Sequence, residues 1–265
     1  MLYGQEVEGL HFMRIYLITG YAGGTRTEHS KRTKSMKTVG IIGGIGPEST
    51  VEYYRLIIEL YRQQESSRAY PHIMVNSIDM KRMLDLVGEN NLTELTAYLL
   101  VEVRRLANAG ADFGLLASNT PHVVFDALVQ QSPIPLISIV EVTCQAAEKQ
   151  GLKRVGLFGT RFTMQGRFYS DTLGKAGITT VLPAPDEQTY IHGKYMGELV
   201  NGIFLPDTRE DLLSIVRRLM LEERIDGLIL GGTELPLIMR NTEDQGIPFL
   251  DTTRLHVESV VSRLL

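Results

Sequence analysis

The chain has 265 residues, of which 43% are apolar and 22% are charged, and its formal net charge is −4. This length suits two domains of about 100 to 130 residues each. The negative charge leaves no basic excess to attract nucleic acid or an anionic membrane. The single cysteine, Cys144, excludes an internal disulfide framework and a cysteine-based metal cluster. No apolar run reaches the roughly 18 residues of a membrane span, so we expect a cytoplasmic protein without nucleic-acid or membrane partners.

Short apolar, β-branched runs alternate with segments of helical periodicity along most of the chain. The predicted strands cover residues 38–42, 72–78, 113–117, 134–139, 155–158, 179–182, 227–230 and 249–251. The first predicted helix begins at Pro47. Further helices are predicted at residues 93–109, 141–150, 165–176, 191–203, 209–223 and 253–265. This alternation is typical of α/β domains with parallel sheets.

Three sequence motifs occur twice, in the same order and at nearly constant separation. Residues 37–44 match 153–160, residues 111–120 match 225–234, and residues 134–137 match 247–250. The duplication predicts two pseudo-symmetric α/β lobes, each a parallel sheet flanked by helices. Because ligands bind at the carboxyl ends of parallel strands, we expect the active-site cleft between the lobes.

The duplication also sets the predicted boundaries. Residues 1–36 form an N-terminal extension outside the two-lobe plan, either a simple extension or an arm that packs on a partner subunit. Residues 37–133 form the first lobe and residues 134–252 the second. The last helix, residues 253–265, is expected to pack back on the first lobe.

A glycine-rich segment follows the first predicted strand. Gly43, Gly44 and Gly46 are expected to form a tight turn that also suits an anion at the N-terminus of the next helix. Ser49 and Thr50 are predicted to cap that helix.

Four motifs together resemble those of the aspartate/glutamate racemase family. They are residues 43–50 (GGIGPEST), 117–122 (ASNTPH), 186–188 (DEQ) and 231–236 (GGTELP). The resemblance covers residues 37–265 and implies a cofactor-independent amino-acid racemase similar to aspartate racemase. In this family, one cysteine from each lobe faces the substrate Cα. One thiolate removes the α-proton and the other thiol returns a proton on the opposite face, a task suited to a thiol because its pKa near 8.5 can be lowered toward neutrality.

Ser118 and Gly232 stand at the two cysteine positions. An unassisted serine hydroxyl is too weakly acidic to act as a resting base, and glycine has no side chain. Cys144 lies in a predicted helix among apolar neighbours, as a packing residue would. Three alternatives therefore stay open: a racemase in which other groups replace the thiols, a non-catalytic protein that binds a small carboxylate, and a lyase or isomerase that uses Glu234 or His122.

Further polar residues are candidates to bind an amino acid or a dicarboxylate. The resemblance and the mirrored loop positions assign this role to Asn119, Thr120, Thr233 and Glu234, and the ends of neighbouring strands add Ser77, Thr160 and Thr163. For His122, a role in organising its loop is favoured over a role as a base. Lys81 or Arg82 could pair with a ligand carboxylate, although a solvated surface position is the default interpretation.

The resemblance also implies a homodimer, because related racemases pair through their first lobe. Tyr53, Tyr54 and Tyr61 lie on the helix that begins at Pro47, and this tyrosine-rich helix is the predicted dimer face. No metal is expected, because the six histidines show no ligand spacing.

Overall fold

The computed structural model describes residues 36–67, 69–239 and 246–265. Apart from Met36, the predicted N-terminal extension lies outside these residues. The strands in the described ranges are β1 Thr38–Gly43, β2 His72–Ser77, β3 Phe113–Leu116, β4 Leu136–Ile137, β5 Arg154–Gly159, β6 Thr179–Val181, β7 Gly227–Gly231 and β8 Phe249–Asp251. The α-helices are α1 Pro47–Gln64, α2 Met80–Gly88, α3 Leu92–Asn108, α4 Phe125–Val129, α5 Ile139–Lys149, α6 Arg161–Gln165, α7 Arg167–Lys175, α8 Pro185–Gly197, α9 Pro206–Glu222, α10 Leu235–Ile238 and α11 Thr252–Leu264.

The strands form two parallel sheets with the same order. The first sheet runs β2-β1-β3-β4 and the second runs β6-β5-β7-β8. Helices cover both faces of each sheet, which explains why the central strands are apolar on both sides. The predicted fold, two α/β lobes with parallel sheets, is confirmed. None of the helices in the described ranges is long and apolar enough to span a membrane.

The predicted boundary between the lobes is displaced. β4 pairs with β3 through Gly114 with Leu136 and Leu115 with Ile137. The first sheet therefore extends past residue 133, where the sequence analysis ended the first lobe. The strand is also shorter than predicted, because Ser138 accepts a hydrogen bond from the Glu141 backbone at 3.2 Å and starts α5 at once.

Two helices are exchanged between the lobes. α5 follows the fourth strand of the first sheet, yet it packs Ile139 and Cys144 against β5 and β7 of the second sheet. α11 follows the fourth strand of the second sheet and packs Val257, Val260 and Val261 against β1 and β3 of the first. Each sheet is thus covered on one face by a helix from the other half of the chain.

The three tyrosines of α1 do not form a common face. Tyr53 and Tyr61 are buried in the core beside α11, and the Tyr53 hydroxyl lies 2.8 Å from Nδ1 of His256. Only Tyr54 is exposed. The predicted tyrosine-rich dimer face is therefore wrong, because two of its three tyrosines are packed inside the chain and cannot contact a partner.

Candidate active site

One small pocket lies among the loops that follow β1, β3, β5 and β7, and we call it the interlobe pocket. Its volume is about 20 Å³, enough for about one water molecule. Its lining residues are Ile45, Gly46, Met80, Met83, Leu84, Ser118, Asn119, Thr120, Thr160, Tyr195, Met196, Val200, Gly231, Gly232 and Glu234. Both duplicated loops contribute, so Ser118 and Gly232 line the same pocket.

Ser118 offers a free hydroxyl to this pocket. Its side chain is buried, and its hydroxyl has no hydrogen-bond partner among the described residues. It can therefore donate to, or accept from, a bound molecule. It is not an activated nucleophile or base, because activation needs an adjacent group that takes the hydroxyl proton.

The side-chain amide of Asn119, which was predicted to bind substrate, makes hydrogen bonds within the fold. Its Oδ1 accepts a 2.6 Å hydrogen bond from the buried hydroxyl of Tyr169 on α7. Its Nδ2 donates to Oγ1 of Thr252 at 3.3 Å. The side-chain amide therefore connects its loop to the second half of the chain.

The predicted threonines lie together in a hydroxyl chain. Oγ1 of Thr160 is 3.1 Å from Oγ1 of Thr120 and 3.2 Å from Oγ1 of Thr163. Thr160 also caps α6 by accepting from the Thr163 backbone. Thr120 and Thr160 line the pocket, whereas Thr163 is fully buried behind them and Ser77 is exposed at the end of β2.

Glu234 is a buried carboxylate held by hydroxyl groups from both lobes. Oε1 accepts from Ser49 at 2.5 Å, and Oε2 accepts from Thr233 at 3.1 Å and from Tyr195. Ser49 also lies 2.6 Å from the Thr233 hydroxyl. Only 1% of Glu234 is exposed, and no basic side chain among the described residues pairs with it. An uncompensated buried carboxylate is costly, so the hydroxyl donors and the adjacent helix end must stabilise it.

The helix end in question is the N-terminus of α1. Gly46 precedes the helix with φ of 92°, a value that favours glycine, and a Cβ there would overlap Oε1 of Glu234. The positive end of the helix dipole thus faces this carboxylate. The anion at the glycine-rich turn is therefore Glu234 of the second lobe.

The predicted caps of α1 do not form. Neither Ser49 nor Thr50 acts as an N-cap, because Ser49 is directed to Glu234. Oγ1 of Thr50 instead accepts from the Gly44 backbone at 2.9 Å and so fixes the turn.

Tyr195 occupies the space that a side chain at Gly232 would need. A Cβ atom at Gly232 would overlap the ring of Tyr195 and lie 2.9 Å from its hydroxyl oxygen. Burial and the neighbouring Glu234 raise the pKa of Tyr195 well above 10, so its phenol stays protonated. The pocket wall at Gly232 therefore presents a neutral phenol hydroxyl that donates to a carboxylate.

His122 is a structural residue. From its partners we assign the proton to Nδ1, which donates to the Ser118 carbonyl at 3.0 Å, while Nε2 accepts from the Ile139 backbone at 3.3 Å. Burial, with a contribution from His256, lowers the pKa of His122 to about 3. It faces a separate cavity of about 800 Å³, but neither ring nitrogen is free to act there.

Cys144 stands apart from the pocket. It is buried in the core between α5 and the second sheet, and its Sγ is 3.7 Å from the Thr172 carbonyl. Burial raises the pKa of its thiol. A protonated, enclosed thiol is inert as a base.

The sequence motifs do not point to Tyr195, and for Ser49 they predict only a cap. No motif connects Tyr195 with the loop at Gly232. The sequence offers only an indirect signal for Tyr195. Gly232 stands where the motif of the family carries a side chain, so a neighbouring side chain is expected to fill the volume that the glycine leaves.

The chain is similar in sequence and in fold to known proteins. The profile described as Asp/Glu/Hydantoin racemase matches residues 42–260. The broad specificity amino-acid racemase RacX of Bacillus subtilis is 25% identical over 236 residues, which cover 86% of this chain and 98% of RacX. An aspartate racemase homologue from Pyrococcus horikoshii OT3 is 30% identical, with a TM-score of 0.75 over 86% of this chain and 99% of the homologue. The aspartate racemase of Picrophilus torridus, at 23% identity, shares the fold with a TM-score of 0.68 over 86% and 94% of the two chains.

Proposed function

This chain belongs to the Asp/Glu/hydantoin racemase family, and from that premise we propose that it binds a small amino acid or carboxylate in the interlobe pocket without two-thiol racemisation. The ligand contacts fall to Ser118, Thr120, Thr160, Tyr195 and Glu234, which line this pocket. No cofactor takes part in this proposal.

The observation that carries the proposal is the pair of groups at the two thiol positions. Inversion at Cα needs a base on one face and an acid on the other. Among the residues that the structure describes, Ser118 has no partner to accept its proton, and the phenol of Tyr195 is held protonated beside Gly232. Neither side supplies a resting base in the manner of a thiolate.

A second candidate function rests on the hydrogen bond between Tyr195 and Glu234. A carboxylate beside a phenol can exchange protons on one face of a ligand. Such a protein would be a non-thiol isomerase or lyase that works from the second lobe alone. His122 is excluded as the catalytic group of a lyase or isomerase, since both of its ring nitrogens form hydrogen bonds with the backbone.

Incubation with D- and L-amino acids in D₂O separates these functions. The proposal predicts ligand-dependent stabilisation, about 2.7 kcal/mol when the ligand is at 100 times its Kd, and no deuterium at Cα. Deuterium with retained configuration would favour the second candidate. Deuterium with inversion would overturn the proposal.

A matched pair of variants tests the location of the ligand. Ser118→Ala removes the free hydroxyl and should weaken binding about three- to tenfold, the range of one hydrogen bond. Ser170→Ala changes an exposed serine on α7 and should leave binding unchanged. Equal affinities in the two variants would place the ligand elsewhere.

We also propose a homodimer in the cytoplasm, on the resemblance alone. Light scattering should give twice the chain mass of 29.6 kDa. A monomer mass at all concentrations tested would contradict this assembly.

A further inference from the structure

The interlobe pocket has walls of a particular chemistry. Six large apolar side chains line it, three of them methionines: Ile45, Met80, Met83, Leu84, Met196 and Val200. None of the lining residues that the structure describes is Lys, Arg or His. A second carboxylate on a ligand would therefore lose its hydration without gaining a cation, which is a large penalty.

Two cations lie in α2 between the lining residues Met80 and Met83, and both have partners outside the pocket lining. Nζ of Lys81 lies 2.6 Å from the exposed carboxylate of Asp85. The guanidinium of Arg82 lies over the Tyr98 ring, 4.5 Å from its centroid. Both side chains lie exposed at the surface, as the default interpretation predicted. Neither Lys81 nor Arg82 therefore contributes a cation to the pocket wall.

A third cation, Lys194, is the neighbour of Tyr195 in α8. Its Nζ pairs with Glu198 at 2.5 Å. The apolar wall on the second-lobe side is therefore not interrupted by an ammonium group, although a lysine is adjacent in sequence to a lining residue.

The charged group that does line the pocket is an anion. Glu234 receives three hydroxyl donors and the positive end of α1, but no basic side chain of the described chain. A ligand that carries an ammonium group would supply the missing cation. A ligand that carries a further carboxylate would add a like charge beside Glu234.

We propose that the pocket takes an amino acid with a small, uncharged, apolar side chain, whose ammonium group lies against Glu234. This inference rests on the proposed function and names its substrate class. The narrow volume of about 20 Å³ requires side chains to move on binding, and the three methionines are flexible enough to do so. Monocarboxylate amino acids such as 2-aminobutyrate and norvaline fit this description, and aspartate does not.

Calorimetric titration with norvaline, asparagine and aspartate tests the class. Asparagine and aspartate are nearly equal in size and differ in the charge of the side chain. Norvaline should bind most tightly, and aspartate should bind at least about tenfold more weakly than asparagine, because like charges and lost hydration both oppose it. If aspartate binds as tightly as norvaline, the substrate class is overturned while the proposed function stands.

Variants of Leu84 provide the matched control. Leu84→Lys places an ammonium group in the apolar wall and should improve aspartate binding relative to norvaline by about tenfold. Leu84→Gln adds polarity of similar size without charge and should not shift this ratio. The ratio is measured within each folded variant, so a moderate loss of stability does not affect it. If no amino acid binds the parent protein, both the proposed function and the substrate class fail.

The ammonium contact has its own readout. Glu234→Gln removes the negative charge but keeps a hydrogen-bond acceptor. The preference of the parent protein for 2-aminobutyrate over butyrate, which lacks the amine, should fall about tenfold in this variant. An unchanged preference would remove Glu234 from the contact with the amine.

Discussion

The two duplicated loops follow equivalent strands of their sheets and differ in where their polar groups are directed. In the loop after β3, the second residue, Asn119, is bonded to Tyr169 and Thr252, while the first, Ser118, keeps a free hydroxyl. In the loop after β7, the first residue, Gly232, has no side chain, and Tyr195 of α8 fills its volume. At the first loop, the pocket is lined by the loop's own side chain, Ser118. At the second loop, it is lined by Tyr195, which comes from helix α8.

This difference shows that a loop position without a side chain need not leave a cavity. A single deleted side chain in a core is costly when the surroundings cannot close around it. Here the phenol ring of Tyr195 occupies the volume beside Gly232, and its hydroxyl donates a hydrogen bond to Glu234. The pocket that remains has a volume of about 20 Å³.

Restoring both thiols should give the largest effect. A Cβ at Gly232 would overlap the Tyr195 ring, so Ser118→Cys with Gly232→Cys should be overpacked and destabilised by about 1 to 3 kcal/mol. Adding Tyr195→Leu removes the overlapping ring atoms. We expect the triple variant to exchange the α-proton of a bound amino acid at least about 100-fold faster than the uncatalysed background, as placed acid–base groups do, whereas the parent should not exceed that background.

Proton NMR in D₂O measures this exchange, and the Tyr195→Leu variant alone is the control. A triple variant that folds and binds an amino acid, yet exchanges no α-proton, would show that more than the thiols has been lost. The backbone of Gly232 is no obstacle, because its φ lies outside the left-handed region.

Substitution of neighbouring residues in the first loop should separate structure from function. Asn119→Ala leaves the buried Tyr169 hydroxyl without its acceptor and should lower the free energy of unfolding by about 2 kcal/mol. Ser118→Ala breaks no hydrogen bond within the described chain and should change it by less than about 0.5 kcal/mol. Urea denaturation of both variants tests the contrast.

A second variant keeps this test specific. Tyr169→Phe in the Asn119→Ala background removes the unpaired hydroxyl and should recover part of the lost stability. If Asn119→Ala alone is as stable as Ser118→Ala, the amide does not connect the lobes in solution.

A buried histidine should give a smaller effect that depends on pH. Burial lowers the pKa of His256 to about 4, whereas the unfolded chain has a value near 6.5. Below pH 6.5 the unfolded state takes a proton that the folded state does not, so stability is fully present above this pH and is lost toward pH 4. The share of His256 in the loss from pH 7.5 to pH 6 should be about 1 kcal/mol, and His122, whose pKa is lowered to about 3, adds a similar share.

His256→Gln should flatten this pH slope by that amount, although it also lowers stability at every pH by disturbing the bond to Tyr53. His72→Gln, at an exposed position on β2, is the control. A slope that is unchanged in His256→Gln would assign the pH dependence to other groups.

Much of the fold could be predicted because strand periodicity and duplication are local signals. The runs at 38–42 and 155–158 became β1 and β5, with the glycine turn after the first as expected. The helix at Met80–Gly88 was missed, because its start depends on Asp79 accepting from two backbone amides. Its Met80, Met83 and Leu84 nevertheless form one wall of the pocket.

The site could be predicted only in part, because motifs name residues and not the directions of their side chains. Ser118, Thr120, Thr160, Gly232 and Glu234 do line one pocket. The partners that decide their chemistry lie far away in the chain. The contact between Ser49 and Glu234 joins opposite lobes, and no local sequence pattern predicts it.

The exchange of α5 and α11 has a consequence for folding. Neither half of the chain holds all the helices that cover its own sheet, since α5 packs on the second sheet and α11 packs on the first. A half of the chain on its own would leave one apolar face of its sheet uncovered. The two halves are therefore expected to unfold together, as one cooperative unit.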